Sequence, residues 1–412
     1  MAEIKQNKTF HETLMRGDKY IWGIYLWLII YSIVETFSAS SALISRTAAG
    51  NDLVLNHINY LLVGFGAIVL FQHLKLSSIR NWGFFLFALG IFLYLLLPFF
   101  GTRHQGAIRD IWGIQPSELI KFGMLSSVCF CLSIKRLKSN PKHQFWWLIG
   151  TAAVGIIPVA LQNLSTAIIL AITVFFLMLL GGVKREYIIN LSIVAGITIA
   201  IGLSALYGLY RWDQSRLSAG EKVVNLGVLN RAHTWSGRIF GENELNPWEY
   251  NLTSKDAQVA YAHMAIANSA ASPLGCLPGN SQIKNHLPEA YSDYIFAIIF
   301  EETGFIGAGI LICLYLTLLI RSYYIARKCD TPYMRLLIMA FALLITLQAV
   351  IHMGVCTDAM FVTGQPLPLI SRGGWSILIT SCCIGTMISI SRYVAYQEKI
   401  GGNNGKTPSN LQ

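Results

Sequence analysis

Apolar residues fall in long runs along this chain, set apart by short polar links. A helix needs roughly 20 mostly apolar residues to cross the hydrocarbon core of a bilayer. Ten segments meet that need: about 20–45, 57–74, 83–100, 115–134, 145–162, 165–182, 187–210, 293–320, 333–355 and 373–395. The fifth and sixth are separated only by "QNLS", which must turn the chain almost within the membrane. The pattern predicts an all-α polytopic membrane protein with ten transmembrane helices. It divides the chain into a cytoplasmic tail over 1–19, a membrane domain over 20–395 and a cytoplasmic tail over 396–412, whose end "GGNNGKTPSNLQ" reads as disordered.

One connection is out of scale with the others. Residues 211–292 form an outer loop of about eighty residues, and loops of that length commonly carry function. The loop is polar and mixed in charge, with "RWDQSR", "WSGRIFGENELNPWEYN" and the turn-rich "SPLGCLPGNS". Within it "DAQVAYAHMAIANSA" reads as a short helix lying on or dipping into the outer face. Lys and Arg favour cytoplasmic links. With the N-terminus inside, the inner links hold most of them, including Lys135, Arg136, Lys138 and Lys142, while the short outer links hold Arg46, Arg103, Arg109 and Arg372. The bias puts both termini in the cytoplasm and calls for an even number of spans.

Composition narrows the class. The chain is 54% hydrophobic and 13% charged, a balance no ordinary soluble domain has. Its net charge of +10 does not point to nucleic acid, because the basic residues are scattered between apolar runs. The eight cysteines show no metal or redox spacing and are expected to be packing residues. The polar opening leads into a span that is itself long enough to cross, so no cleavable leader is expected.

Against that background a few polar residues stand out, because a carboxylate at bilayer depth costs a few kcal/mol or more. Asp293 sits where the long outer loop meets the eighth span. It can be a proton-transfer group facing water on one side and low dielectric on the other, or an ordinary cap opening a helix. Glu301 and Glu302 follow eight and nine residues later, roughly 12 to 14 Å deeper along a straight helix. A paired structural role suits them, with Glu35 or Lys121 as counter-groups. Glu118 and Lys121 stand at i and i+3 in "QPSELIKF", either as an internal ion pair or as the wall of a polar cavity. Arg109 in "GAIRDIWG", Arg238 in "WSGRIFG", Lys284 and Arg372 are outward-facing cations: solvated or headgroup contacts, or a set that suits a phosphate-bearing substrate.

Four blocks carry a resemblance in order and spacing: "FSASSAL", "QPSELIKF", "LPEAYSDYIFAIIFEETGFIG" and "VTGQPLPLISRGGWSILI". Over about residues 18–395 the chain resembles the SEDS family of FtsW, RodA and SpoVE, with the first span and "LPEAYSDYIF" nearer the FtsW branch. The resemblance implies a peptidoglycan glycosyltransferase that polymerises lipid II at the outer face of the bacterial cytoplasmic membrane during division, with a class B penicillin-binding protein and other divisome proteins as partners. It implies that Asp293 is the catalytic carboxylate, and it places Glu118, Lys121 and Arg109 among the functional residues. No protein cofactor is called for; a divalent ion, Mg or Mn, held by Asp293 and substrate, would suit the leaving pyrophosphate.

The chain departs from the family pattern at several positions. His352 stands for the usual Asn, Tyr291 for His and Arg372 for Tyr. "ALQNLSTA" lacks the Pro-Asp of "QPDLGTA", leaving Asn163, and Leu277 falls where a glycine-rich pattern is expected. Other functions open to such a sequence are a lipid II flippase, an elongation-type polymerase and an inactive scaffold for division proteins.

Overall fold

The computed structural model describes residues 17–46, 49–104, 107–134, 139–218, 229–240, 257–269, 272–287, 291–360 and 363–404. Its helices are α1 (Lys19–Arg46), α2 (Ala49–His73), α3 (Leu76–Phe100), α4 (Pro116–Ser133), α5 (Pro141–Gln162), α6 (Leu164–Gly181), α7 (Arg185–Ser218), α8 (Leu229–Phe240), α9 (Ala257–Asn268), α10 (Ile295–Arg327), α11 (Pro332–Cys356) and α12 (Gly374–Asn404). A small antiparallel hairpin, β1 (Thr102–His104) and β2 (Ala107–Asp110), joins α3 to α4 and is the only departure from an all-helical chain among the described residues.

Nine of the described helices are long and apolar enough to cross a membrane. The tenth expected span is α4, which has 18 residues but carries Glu118 and Lys121, so its composition is less apolar. It compensates by burial: fourteen of its residues are enclosed by protein. The approach is close because Gly123 faces α3, where an added Cβ would lie 2.4 Å from the Phe87 backbone nitrogen. Small residues at such contacts let helix backbones come together where lipid supplies no hydrophobic drive. α11 and α12 form the middle of the bundle, with 78% and 83% of their spans buried. Asn163 accomplishes the tight turn between α5 and α6, ending one helix and capping the next by accepting a hydrogen bond from the Thr166 N–H at 3.2 Å.

Three expectations change. "RWDQSR" is helical, because α7 continues to Ser218. The second tail is not irregular from 396, because α12 runs on to Asn404. The eighth span is not one straight helix: Gly304 breaks α10 with φ 63 and ψ −165. The break follows from backbone crowding, since a Cβ on Gly304 would meet the Pro273 carbonyl at 2.3 Å and one on Gly275 would meet the Glu301 carbonyl at 2.4 Å. The expected helix at "DAQVAYAHMAIANSA" is present as α9. The initial tail, over 1–16, and the last eight residues lie outside the described residues.

Two ties set the depth of α10. At one end Arg321 donates to Asp18 through Nε at 2.9 Å and Nη2 at 2.5 Å. At the other, Ser38 of α1 donates to Glu302 Oε1 at 2.5 Å. Glu302 is thus about 30 Å of helix up from Asp18, in the half of the bundle where α4 begins and α11 ends.

Candidate active site

The end of the bundle where α4 begins and α11 ends holds a polar cleft with about 140 Å³ of interior room. Asp293, Glu118 and Arg372 line it, with Gln115 and Ser117 from the start of α4. Sequence reasoning singled out those three charged residues, and the fold brings them to one place from three distant parts of the chain. Lys121 donates to Glu118 Oε1 at 2.7 Å, and both are buried. The two readings of this pair therefore combine, with Glu118 at the cleft wall and Lys121 turned in against it. Lys284 is elsewhere, in the 3₁₀ turn Ile283–Asn285, where its Nζ donates to the Gly279 carbonyl at 2.6 Å. Arg109 lies in β2 and Arg238 in α8, and their side chains fall outside the described residues.

The segment 363–373 forms one side of the cleft without regular structure, and the bundle satisfies its backbone, as irregular chain at membrane depth requires. Gln348 donates to the Pro366 carbonyl at 2.9 Å and Tyr315 to the Pro368 carbonyl at 2.6 Å, while His352 Nδ1 lies 2.7 Å from the Gln365 carbonyl oxygen. His352 is thus a buried support for this segment. The segment is also joined to the one carrying Asp293. Ser371 donates to the Ser292 carbonyl at 2.7 Å, and the Arg372 N–H donates to the Tyr291 carbonyl at 3.0 Å. The Arg372 guanidinium lies over the Tyr291 ring, 5.4 Å from its centroid, so two departures from the family pattern touch each other.

A set of neutral polar residues completes the wall: Gln162, Asn163, Thr166, Gln365 and Ser376. Gln365 Nε2 donates to Asn163 Oδ1 at 3.0 Å and to Thr166 Oγ1 at 2.8 Å. Sequence reasoning noticed Asn163 only as a departure and missed the others. The available signal was the polar interruption "QNLSTA" between two apolar runs. Among the described residues no group of three or more His, Cys, Asp or Glu could hold a metal ion. The cleft offers Asp293 as an oxygen ligand, while Glu118 is already engaged by Lys121.

Glu301 and Glu302 belong to a different place. Glu301 accepts from Asn268 at 2.9 Å and from the Ser281 hydroxyl, and Glu302 accepts from Ser38 and from the Ser281 N–H at 3.3 Å. Their carbonyls accept from Cys276 and Leu277 N–H at 3.0 and 2.8 Å, which closes the helix end left open by the Gly304 break. Loop backbone, the Ser38 and Ser281 hydroxyls and the Asn268 amide are the hydrogen-bond donors to these carboxylates, in place of the expected Glu35 or Lys121.

A bundle of membrane helices around a polar cleft, with an ionisable wall at one end, defines the class: a polytopic membrane protein with an enclosed polar site. The chain belongs to the FtsW, RodA and SpoVE family, described as "Cell cycle protein", whose match covers residues 18–396. Among similar proteins, the probable peptidoglycan glycosyltransferase FtsW of Geobacter sulfurreducens is 26% identical over 389 residues, covering 91% of this chain and 95% of that one. Stage V sporulation protein E of Bacillus subtilis is 27% identical, covering 90% and 96%. The peptidoglycan glycosyltransferase MrdB of Escherichia coli K12 is 24% identical, covering 95% and 97%. The fold matches a chain from a structure titled "Structural coordination of polymerization and crosslinking by a peptidoglycan synthase complex", with TM-score 0.65, 20% identity and coverage of 92% and 98%. It also matches the rod shape determining protein RodA of Thermus thermophilus, with TM-score 0.60, 20% identity and coverage of 91% and 97%.

Proposed function

We propose that this chain is a peptidoglycan glycosyltransferase that polymerises lipid II into β-1,4 glycan at the outer face of the cytoplasmic membrane during cell division. The observation that carries this function is the placement of Asp293 in a polar cleft at the end of an otherwise apolar bundle, beside Glu118 and Arg372. Lipid II joins a disaccharide to a polyprenyl tail through a pyrophosphate, so an enzyme for it needs polar room next to lipid. Both termini lie in the cytoplasm, which puts the cleft end of the bundle on the outer side. The partners are a class B penicillin-binding protein and other division proteins.

In this mechanism the acceptor 4-hydroxyl attacks the anomeric carbon of the donor sugar from the side opposite the pyrophosphate. The new C–O bond forms as the bond to the phosphate oxygen breaks, with inversion, and the polyprenyl pyrophosphate leaves. Asp293 takes the hydroxyl proton as general base, which is worth about 10²- to 10⁴-fold in rate. Arg372 faces the leaving anion, and Glu118, steadied by Lys121, holds the cleft wall. Arg109 and Arg238 serve as further substrate contacts, while Lys284, tied to the Gly279 carbonyl outside the cleft, does not. A divalent ion, Mg or Mn, would be held by Asp293 and substrate oxygens and would supply charge neutralisation. The test is polymerisation of labelled lipid II by purified protein with its transpeptidase partner. Wild type is expected to make glycan and Asp293→Asn to make none. Glycan made at the normal rate by Asp293→Asn, or movement of lipid II across vesicles without any glycan, would overturn the proposal.

A further inference from the structure

Among the described residues lining the cleft, Arg372 is the one cation without an ion pair, since Lys121 is committed to Glu118. Its side chain is exposed at the cleft while its backbone is fixed by the hydrogen bond to the Tyr291 carbonyl. A guanidinium held over an aromatic ring by the ring's quadrupole keeps N–H donors that a ligand anion can use. Those donors make no side-chain hydrogen bond with any described residue. A long side chain beside two glycines, Gly373 and Gly374, would otherwise sample many rotamers, and the Tyr291 ring removes that freedom before a ligand arrives.

We propose that Tyr291 is a positioning residue: it holds the Arg372 guanidinium at the cleft for the diphosphate of a polyprenyl-linked substrate, so that the two side chains act as one anion-recognition unit. This rests on the function proposed above and adds a specificity device to it. The departures at positions 291 and 372 belong together in this view. Where the family pattern pairs a basic ring at 291 with an aromatic at 372, this chain carries the aromatic at 291 and the base at 372.

The test uses full-length protein in detergent, with undecaprenyl diphosphate and undecaprenol as binding probes and lipid II turnover as a second readout. The native protein is expected to prefer the diphosphate. Tyr291→Ala should reduce that preference roughly fivefold to tenfold and raise KM for lipid II more than it lowers kcat. Tyr291→Phe, which keeps the ring face, should bring the preference back to within about twofold. Tyr291→Ala combined with Arg372→Ala should bind no worse than Arg372→Ala alone, since coupled residues are not additive. The double exchange Tyr291→His with Arg372→Tyr should recover turnover that Arg372→Tyr alone loses. A diphosphate preference that survives Tyr291→Ala, or effects of the two alanine variants that simply add, would overturn the pairing. Native protein that polymerises lipid II without any diphosphate preference would overturn the inference and leave the proposed function standing. Native protein that neither polymerises nor binds would remove both.

Discussion

The cleft at Asp293, two residues before α10 begins, and the cluster at Glu301 and Glu302, inside α10, hold carboxylates only eight and nine residues apart along the chain. Their surroundings differ in kind. Asp293 is half-buried and lines polar room together with the cation Arg372. Glu301 and Glu302 are buried under a loop whose N–H groups and hydroxyls are aimed at them. A carboxylate surrounded by donors from its own chain is spending its capacity on the fold. Asp293, which accepts from the Ser292 hydroxyl at 3.3 Å, also lines the cleft, where a ligand can reach it. The price of burial is met in both places, but only one of them leaves chemistry available.

The contrast is sharpened first by separating rate from stability. Asp293→Asn should lower glycan polymerisation by about a hundredfold or more while shifting the thermal unfolding midpoint little, as read by a melting curve beside the polymerisation assay. A large loss of stability instead would move Asp293 into the structural group. Lys121→Met tests a residue with both roles. It leaves Glu118 buried without its partner, and losing one member of a buried pair costs about 3 to 5 kcal/mol, seen as reduced yield and a lower melting midpoint. Replacing both, with Glu118→Leu and Lys121→Met, should recover much of that stability but not the activity, because Glu118 lines the cleft.

A smaller effect is expected at the closed cluster. Glu302→Leu strands the Ser38 hydroxyl and the Ser281 N–H, at about 1 to 3 kcal/mol for a buried group left unpaired. Its turnover per folded molecule should stay within about twofold of the native value. A selective loss of kcat at an unchanged melting midpoint would break the division between the two regions. The smallest effect should come from the loop that covers the cluster. Leu277 holds φ 70, a left-handed backbone that costs a non-glycine residue about 1 to 2 kcal/mol. Leu277→Gly should therefore raise the melting midpoint slightly, by an amount worth about 1 kcal/mol or less after the greater freedom of unfolded glycine is set against it. A lower midpoint would show that the exposed leucine side chain makes a contact worth more than the strain.

Much of this was legible in the sequence, for identifiable reasons. Spans follow from apolar length, so each expected span falls on a helix. However, α2, α3, α7, α10 and α12 run on seven to nine residues further at one end, where polar residues continue the helix beyond the apolar run. Asp293, Glu118 and Arg372 were visible because charges are costly inside apolar runs and because the blocks around them resemble a family. The break at Gly304 was not visible, because a lone glycine in "FEETGFIG" is tolerated in a helix and the crowding that bends it comes from Pro273 and Gly275, some thirty residues earlier. The neutral wall of the cleft was hidden for a related reason. Asn163 reads locally as a helix cap, which it is, and nothing local says that Gln365, two hundred residues on, will donate to it. The Tyr291–Arg372 contact likewise joins two positions that look like unrelated departures until the fold sets them against each other.

Helix α7 carries a consequence of its own. Only 6% of its span is buried against the rest of the chain; the short helix α8 packs on it, and Tyr187 near its start stacks on Phe145 of α5 at 5.0 Å. At 34 residues it is a rod of about 51 Å, well beyond the roughly 30 Å of hydrocarbon it has to match. Its length allows it to span with some tilt, and with so little protein packed on it, it meets a thinner or thicker bilayer directly, a mechanical input that a detergent micelle does not reproduce.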